Sequence, residues 1–500
     1  MKDTNNSMEK NDFSITSDEL KSKLDSNAPL MLFDLRDSND FEGGHIPGSA
    51  LAVCNEETKK TIMPRLPKNM EIILVEEEEN YPKQMVEMMR QMGLQAKYLK
   101  DGILSWKGDL IKSADRDISP RDLKDMLDSE KSKQELFLLD VREPDEFKQW
   151  NITNSTNIPL NSLTNNKTLD TIPKDKRIVT ICPHGNRSTV GKYILERFGY
   201  NVSSLEGGLK NWSSSFEIAS EEFELDNSSN ISLFQFRRIG KGCISYLLDS
   251  DGESIIIDPV YPIEKYIQKA TELDTKIVKI IDTHQHADHV SAANALAEQT
   301  GAQHLQSAYE EYSDKAKSGT MIRDGDVMEI GKVKIKSIHT PGHTLGSMSL
   351  LVDNNISNNS DSSAKSIKIL FTGDTIFVNG VGRPDLRDKA QEFASLLYDT
   401  IHNKILKLSG DIIVLPAHFE TDIKSNEVLH TTLKEIKNNT MFLNPQISKE
   451  EFVKKISSKV METPPNHTEI IAINKGEKSM PSSVSQVFDL EMGPNRCSIS

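Results

Sequence analysis

Two short stretches hold the residue types that could do chemistry. The first is THQHADH, residues 283–289, with three histidines and one aspartate inside six residues, just after the strand-like KIVKIID (276–282). In an extended turn, side chains two apart point the same way, so His284 and His286 can converge on one metal ion. Asp288 and His289, read as opening the helix-like SAANALAEQTG (291–301), can face the same pocket. Three more such residues end strand-like runs: His343 in HTPGHT, Asp374 in FTGDT and His418 in LPAH. One buried histidine is usually a satisfied core residue. Seven ligand-type residues at strand-to-loop junctions are not explained that way, and they predict a metal site. His339 is as well explained by structure as by function; His304, His402, His430 and His467 read as ordinary.

The second stretch is TICPHGNRS (180–188). Cys182 ends a strand and precedes the helix-like STVGKYILERFG, beside Arg187. Backbone N–H groups and the positive end of a helix dipole stabilise a thiolate or a persulfide anion at such a place. Gly185 lets the backbone wrap tightly. Cys54 and Cys243 lie in apolar, strand-like surroundings and read as buried filler.

The elements that position these residues repeat. Shifting by 106 positions lays LFDLRDSNDF (32–41) on LLDVREPDEF (138–147), LKDGILSW (99–106) on LEGGLKNW (205–212), and Gly93 on Gly199, without a gap. Each unit alternates strands and helices, which predicts a parallel α/β sheet. The expected organisation is a disordered tail (1–12), one copy at 13–112, a second at 117–216, a Ser-, Glu- and Asn-rich linker (217–231), the histidine-bearing domain (232–435) and a C-terminal extension packed on it (436–500). GCISYLL (242–248) and ESIIIDP (253–259), joined by DSDG, predict a β-hairpin. NNISNNSDSSAK (354–365) reads as a low-complexity surface loop.

Bulk properties bound the function. Five hundred residues imply several domains, and 27% charged with 36% apolar residues fits a globular chain. A net charge of −15 argues against nucleic acid or an anionic membrane as main partner. No apolar run is long enough for a transmembrane span. Four scattered cysteines do not make a disulfide scaffold, so a reducing cytoplasm is expected.

The histidine pattern resembles the metallo-β-lactamase superfamily over about 232–435, which implies an αββα sandwich with metal at the sheet edges. Within it, IIIDPV, PGHT, TGDTIFVNGVGRPD, LPAH and LNPQISKEEFV are similar to the persulfide dioxygenase branch. That resemblance implies one Fe(II) held by His284, His343 and Asp374, with His286, Asp288, His289 and His418 orienting ligands and handling protons. Two histidines and one carboxylate on one face leave open positions for O2 and substrate. It also implies a substrate-site role for Arg383, although the family's Thr-Asp-Phe is Pro384, Asp385 and Leu386 here. The branch carries a cysteine near its C-terminus; GPNRC (493–497) would place Cys497 there, and IAINKG (471–476) aligns as well without one. The rival reading uses all seven residues as ligands of two zinc ions, with a bridging hydroxide attacking a thiolester.

The cysteine loop, the Asp-x-Arg and Gly-Trp patterns and GGHIPGS (43–49) resemble rhodanese over about 13–216. This implies that Cys182 carries sulfane sulfur as a persulfide and that Arg187 holds thiosulfate-like anions. Copy two departs at QWNITNSTN (149–157). In copy one the 106-residue shift puts Glu76 where Cys182 stands, Glu79 where Gly185 stands and Tyr81 where Arg187 stands. That copy is expected to transfer no sulfur and to serve packing or docking.

Three functions follow. One is an iron enzyme that oxidises a low-molecular-weight thiol persulfide with O2 to sulfite and thiol, fused to a sulfurtransferase using thiosulfate or sulfite. A second is a zinc thiolester hydrolase of the glyoxalase II type, with one or two ions. A third is a non-oxidative sulfur carrier. A homo-oligomer is compatible with each.

Overall fold

The computed structural model describes every residue except 1–12, 27, 53–55, 79, 113–116, 227–228, 315–318, 354–367, 386–388, 420–422, 460–462, 494 and 500. The N-terminal tail, Cys54, Leu386 and the 354–365 loop therefore lie outside the described residues. The chain forms two compact units, 1–212 and 213–500.

The first unit holds both repeats. In copy one, Leu30–Asp34 pairs in parallel with Ser49–Leu51 on one side and Glu71–Val75 on the other; Gln95–Leu99 and Ser14–Ile15 extend the sheet. LMLFD and EIILV are almost entirely buried, as parallel strands covered on both faces must be. Copy two repeats the plan with Leu136–Asp140 between Thr156–Asn157 and Arg177–Ile181, and Val202–Ser204 beyond. The shift holds to the residue: Glu71–Val75 becomes Arg177–Ile181, and the helix Asn80–Gln91 becomes Asn186–Arg197. One apolar cluster runs through both copies, from Met31, Leu74 and Met89 to Leu139, Val190 and Ile194.

The second unit is an αββα sandwich. Its seven-stranded sheet runs, in spatial order, Phe216–Asp226, Ser229–Arg238, Ile244–Ser250, Glu253–Ile257, Lys276–Ile281, Gln303–Ser307 and Thr320–Ile322. Its six-stranded sheet runs Val327–Ile330, Val333–His339, Met348–Asp353, Lys368–Gly373, Ile413–Pro416 and Thr431–Thr432. Ile255, Ile257, Ile335, Leu350 and Ile369 meet between the sheets. The helices Glu264–Glu272 and Ala293–Thr300 cover the outside of one sheet, and Ala390–Asn403 that of the other. From the C-terminal extension, Phe442, Phe452 and Ile456 join the second outer layer.

The stretch expected as a linker is sheet. Phe216–Asp226 pairs antiparallel with Ser229–Arg238, burying Phe216, Ala219 and Phe223. Its serines and glutamates hid this in the sequence, but a polar outer face is what a sheet edge needs. One of those glutamates, Glu217, lies 3.0 Å from the buried Arg237. Among the described residues, no helix is long and apolar enough to cross a membrane.

Candidate metal centre and cysteine loop

His284 follows the strand Lys276–Ile281, His343 lies in the loop after Val333–His339, Asp374 follows Lys368–Gly373 and His418 follows Ile413–Pro416. Their strands end at one edge of the sandwich, so all four side chains meet there, fully buried. Asp288 and His289 sit in an irregular loop rather than at a helix start; the helix begins only at Ala293. Asn474 holds this loop by donating to the His286 and His289 carbonyls, both at 2.9 Å.

Three of the seven residues form a distinct set. His284 Nε2 and His343 Nε2 each lie 3.5 Å from Asp374 Oδ2, and none of these three buried atoms has a hydrogen bond. The other ring nitrogens are fixed. His343 Nδ1 donates to the Arg383 carbonyl at 2.9 Å. His284 Nδ1 lies 2.9 Å from Thr283 Oγ1, whose own proton goes to Asp258 Oδ2 at 2.9 Å. Both Nε2 lone pairs therefore face Asp374, the arrangement metal-binding histidines adopt when an outer partner sets their tautomer. Burial also pushes His343 down to about 3, which keeps it neutral.

The remaining residues are placed otherwise. His418 spends both nitrogens, Nδ1 on Asp374 Oδ1 at 2.6 Å and Nε2 on Asp288 Oδ2 at 3.1 Å. Burial opposes its charge, but the two carboxylates hold it well above the ordinary histidine value. Asp288 Oδ1 is 3.1 Å from His289 Nδ1. His286 turns its Nε2 to Asp258, 3.3 Å away.

Two residues make contacts the sequence did not signal, and a third falls where one of its alignments put it. Cys243, read as filler, donates its thiol to Asp288 Oδ2 at 3.0 Å, because its backbone bridges that of His418 across two sheets. Burial, with Asp288 beside it, pushes this thiol up to about 11. Nothing in the local pattern of GCISYLL signals that pairing. Arg383, expected at the substrate, is fully buried and ion-paired with Asp385 at 2.6 Å, and donates to the Arg496 carbonyl at 3.0 Å. Its guanidinium ties down the C-terminal segment. That segment pairs Ser498–Ile499 with Val381–Gly382 and so brings Cys497 to Asp374 and His418, with donor atoms within 4.8 Å of one another.

In the first unit, Cys182 follows Arg177–Ile181 and its Sγ lies 3.3 Å from Ser188 Oγ, which accepts from Ser204 at 2.8 Å. Gly185, at φ 93°, starts the helix Asn186–Arg197. Arg187, expected on an anion, is bound bidentately by Glu146 at 2.7 and 2.8 Å. Glu146 lies on the helix Pro144–Gln149, so this pair braces the start of the helix that follows the cysteine loop. Glu146 was visible in DVREPDEF but carried no signal of this role.

Comparison with known proteins finds both kinds of domain. The "Rhodanese-like domain" model matches residues 16–109 and 119–215, and the "Metallo-beta-lactamase superfamily" model matches 239–355. "Persulfide dioxygenase ETHE1, mitochondrial" of Bos taurus is 30% identical over 220 residues, 43% of this chain and 76% of that protein. The Homo sapiens protein of the same name is 31% identical over 205 residues, 40% of this chain and 70% of that one. "Hydroxyacylglutathione hydrolase GloC" of Haemophilus influenzae is 26% identical over 233 residues, 43% of this chain and 98% of that protein. With the sandwich, the histidine edge and these relatives together, the chain belongs to the metallo-β-lactamase superfamily, as a relative of the persulfide dioxygenases that carries two rhodanese-like domains ahead of that fold.

Proposed function

We propose that the chain is a mononuclear iron persulfide dioxygenase with a sulfurtransferase domain. One observation supports this above the rest: His284 Nε2, His343 Nε2 and Asp374 Oδ2 lack partners and face one another, while both nitrogens of His418 are satisfied by carboxylates. Three protein donors on one face suit a metal that must keep positions open for two reactants. Bound Fe(II) would supply O2 activation there.

The balanced reaction is RSSH + O2 + H2O → RSH + SO3²⁻ + 2H⁺, in which the two sulfurs together release four electrons to O2. The chain's own part is to orient and exclude water. Arg383 fixes His343 through its carbonyl and closes the C-terminal segment over the edge. His418 holds Asp374 Oδ1, so that Oδ2 stays turned to the histidines. In the cysteine loop, the Cys182 thiolate attacks the outer sulfur of thiosulfate, and the S–S bond pair leaves with sulfite: Cys–S⁻ + S2O3²⁻ → Cys–S–S⁻ + SO3²⁻. The two chemistries share persulfide and sulfite, which gives their fusion a physical logic.

The zinc thiolester-hydrolase reading needs a second ion on Asp288, His289 and His418, and His418 would have to surrender at least one of its two hydrogen bonds. Metal analysis of protein purified without added metal, combined with O2 uptake on a low-molecular-weight persulfide, separates the readings. Near-equimolar iron with persulfide-dependent O2 consumption is expected. Two zinc ions and no O2 consumption would overturn the proposal.

A further inference from the structure

A second group of ligand-type residues adjoins the first. Asp258, Asp282 and His286 each offer a donor atom within 4.8 Å of the others. His286 Nε2 is 3.3 Å from Asp258 Oδ1 and 3.8 Å from Asp282 Oδ1. Donors bound at about 2.0–2.2 Å to one ion stand about 3–4 Å apart, so this spacing suits a shared cation. These are not the residues on which the hydrolase reading would place its second metal.

Asp258 is satisfied by Thr283, whose N–H donates to Oδ1 at 2.6 Å and whose Oγ1 donates to Oδ2 at 2.9 Å, while Asp282 and His286 are left incomplete. Asp282 Oδ2 accepts from Ser291 at 2.6 Å, but buried Oδ1 has no donor. Neither ring nitrogen of His286 makes a hydrogen bond. His304 is only 8% exposed, and neither of its ring nitrogens has a partner. It sits opposite Ile280 in the parallel pairing of their strands, and Asp282 is two residues beyond Ile280, so His304 and Asp282 share one face. Asp282, His286 and His304 line one cavity of about 380 Å³, which gives an ion a way in.

We infer that Asp258, Asp282 and His286, with His304 at the cavity wall, form a second binding site for a first-row divalent cation. Mixed imidazole and carboxylate donors suit Mn²⁺, Fe²⁺, Co²⁺ or Zn²⁺. An ion there would hold His286 turned toward Asp258 and Asp282, which keeps it off the triad. The site stands whether or not the triad holds iron.

The test is an anaerobic titration of the metal-stripped full chain with Co²⁺ alone, read by calorimetry and by elemental analysis after gel filtration. Wild type is expected to take up two equivalents, and Asp282→Asn/His304→Ala one. His343→Ala/Asp374→Ala should also take up one, at the other site. His304→Ala alone should weaken the second equivalent about 10–100-fold. One equivalent in wild type, or two retained by Asp282→Asn/His304→Ala, would overturn the site. Anomalous diffraction at the cobalt edge from wild-type crystals does not depend on how the variants fold: a peak between Asp282 and His286 is expected, and its absence sinks the inference.

Discussion

The two rhodanese-like copies have the same scaffold and different loops. Asp34 and Arg36 form the same 2.7 Å pair as Asp140 and Arg142, and each arginine also caps a carbonyl eight residues on. The Ile103 N–H bonds to the Glu76 carbonyl at 2.8 Å, as the Leu209 N–H bonds to the Cys182 carbonyl at 2.8 Å. Even the steric constraint survives. A Cβ on Gly208 would meet the Cys182 carbonyl oxygen at 2.2 Å, and one on Gly102 would meet that of Glu77 at 2.2 Å. What differs is side-chain chemistry: Glu76 for Cys182, Tyr81 for Arg187, Pro82 for Ser188 and Tyr98 for Ser204. The comparison teaches that backbone anchoring of this loop belongs to the fold, while the cysteine and its hydroxyl and guanidinium neighbours are separable from it.

The largest effect tests whether transfer rests on one copy. Cys182→Ser is expected to lower thiosulfate-to-thiol sulfur transfer at least about 10³-fold while leaving persulfide-dependent O2 uptake unchanged. Residual transfer that vanishes only when copy one is also altered would break the contrast. Next, Gly208→Ala should expel the Cys182 loop and cost about 100-fold in transfer. Gly102→Ala should leave transfer intact and instead lower the melting temperature, by about 2–4 °C for each kcal/mol lost from a unit of this size. Equal activity losses from both would mean that the copies are functionally coupled.

A smaller effect concerns the brace. Glu146→Gln should release Arg187 and reduce transfer about 10–100-fold, whereas Asp40→Asn, at the matching position, should be neutral. The mildest test is acid. Burial opposes the Glu146 charge, but the Arg187 guanidinium overrides it and holds the carboxylate below its usual value. The pair's stabilisation is then fully present above the ordinary glutamate range and is lost as pH falls through the lower, folded value. Alkylation of Cys182 should therefore rise in acid, when corrected for thiolate fraction, in wild type but not in Glu146→Gln. Identical profiles would remove Glu146 from the brace.

Much was legible from sequence because chemistry here sits where strands end. The ligand-type residues at 284, 343, 374 and 418 each follow an apolar run, and parallel or mixed sheets bring such ends to one edge. Cys182 was legible for the same reason, with a glycine and a helix after it. The strand Phe216–Asp226 was not, because its apolar residues are sparse and its glutamates mimic a linker. The contacts of Cys243 and Arg383 were not legible, because their partners lie in other elements: Asp288 is 45 residues away for one, and Arg496 is 113 away for the other.

The sequence by itself determined the repeat, the absence of the loop cysteine from copy one and the identity of the chemical groups, since these depend on residue type and local spacing alone. Only the tertiary structure decided how those groups divide. Which histidine nitrogens stay free for an ion, and which are spent on Asp374, Asp288 or Arg383, depends on hydrogen bonds between residues far apart in the chain. A buried polar atom must be satisfied by something, so each bond made across the sandwich removes a candidate ligand, and those left unmade mark where a ligand belongs.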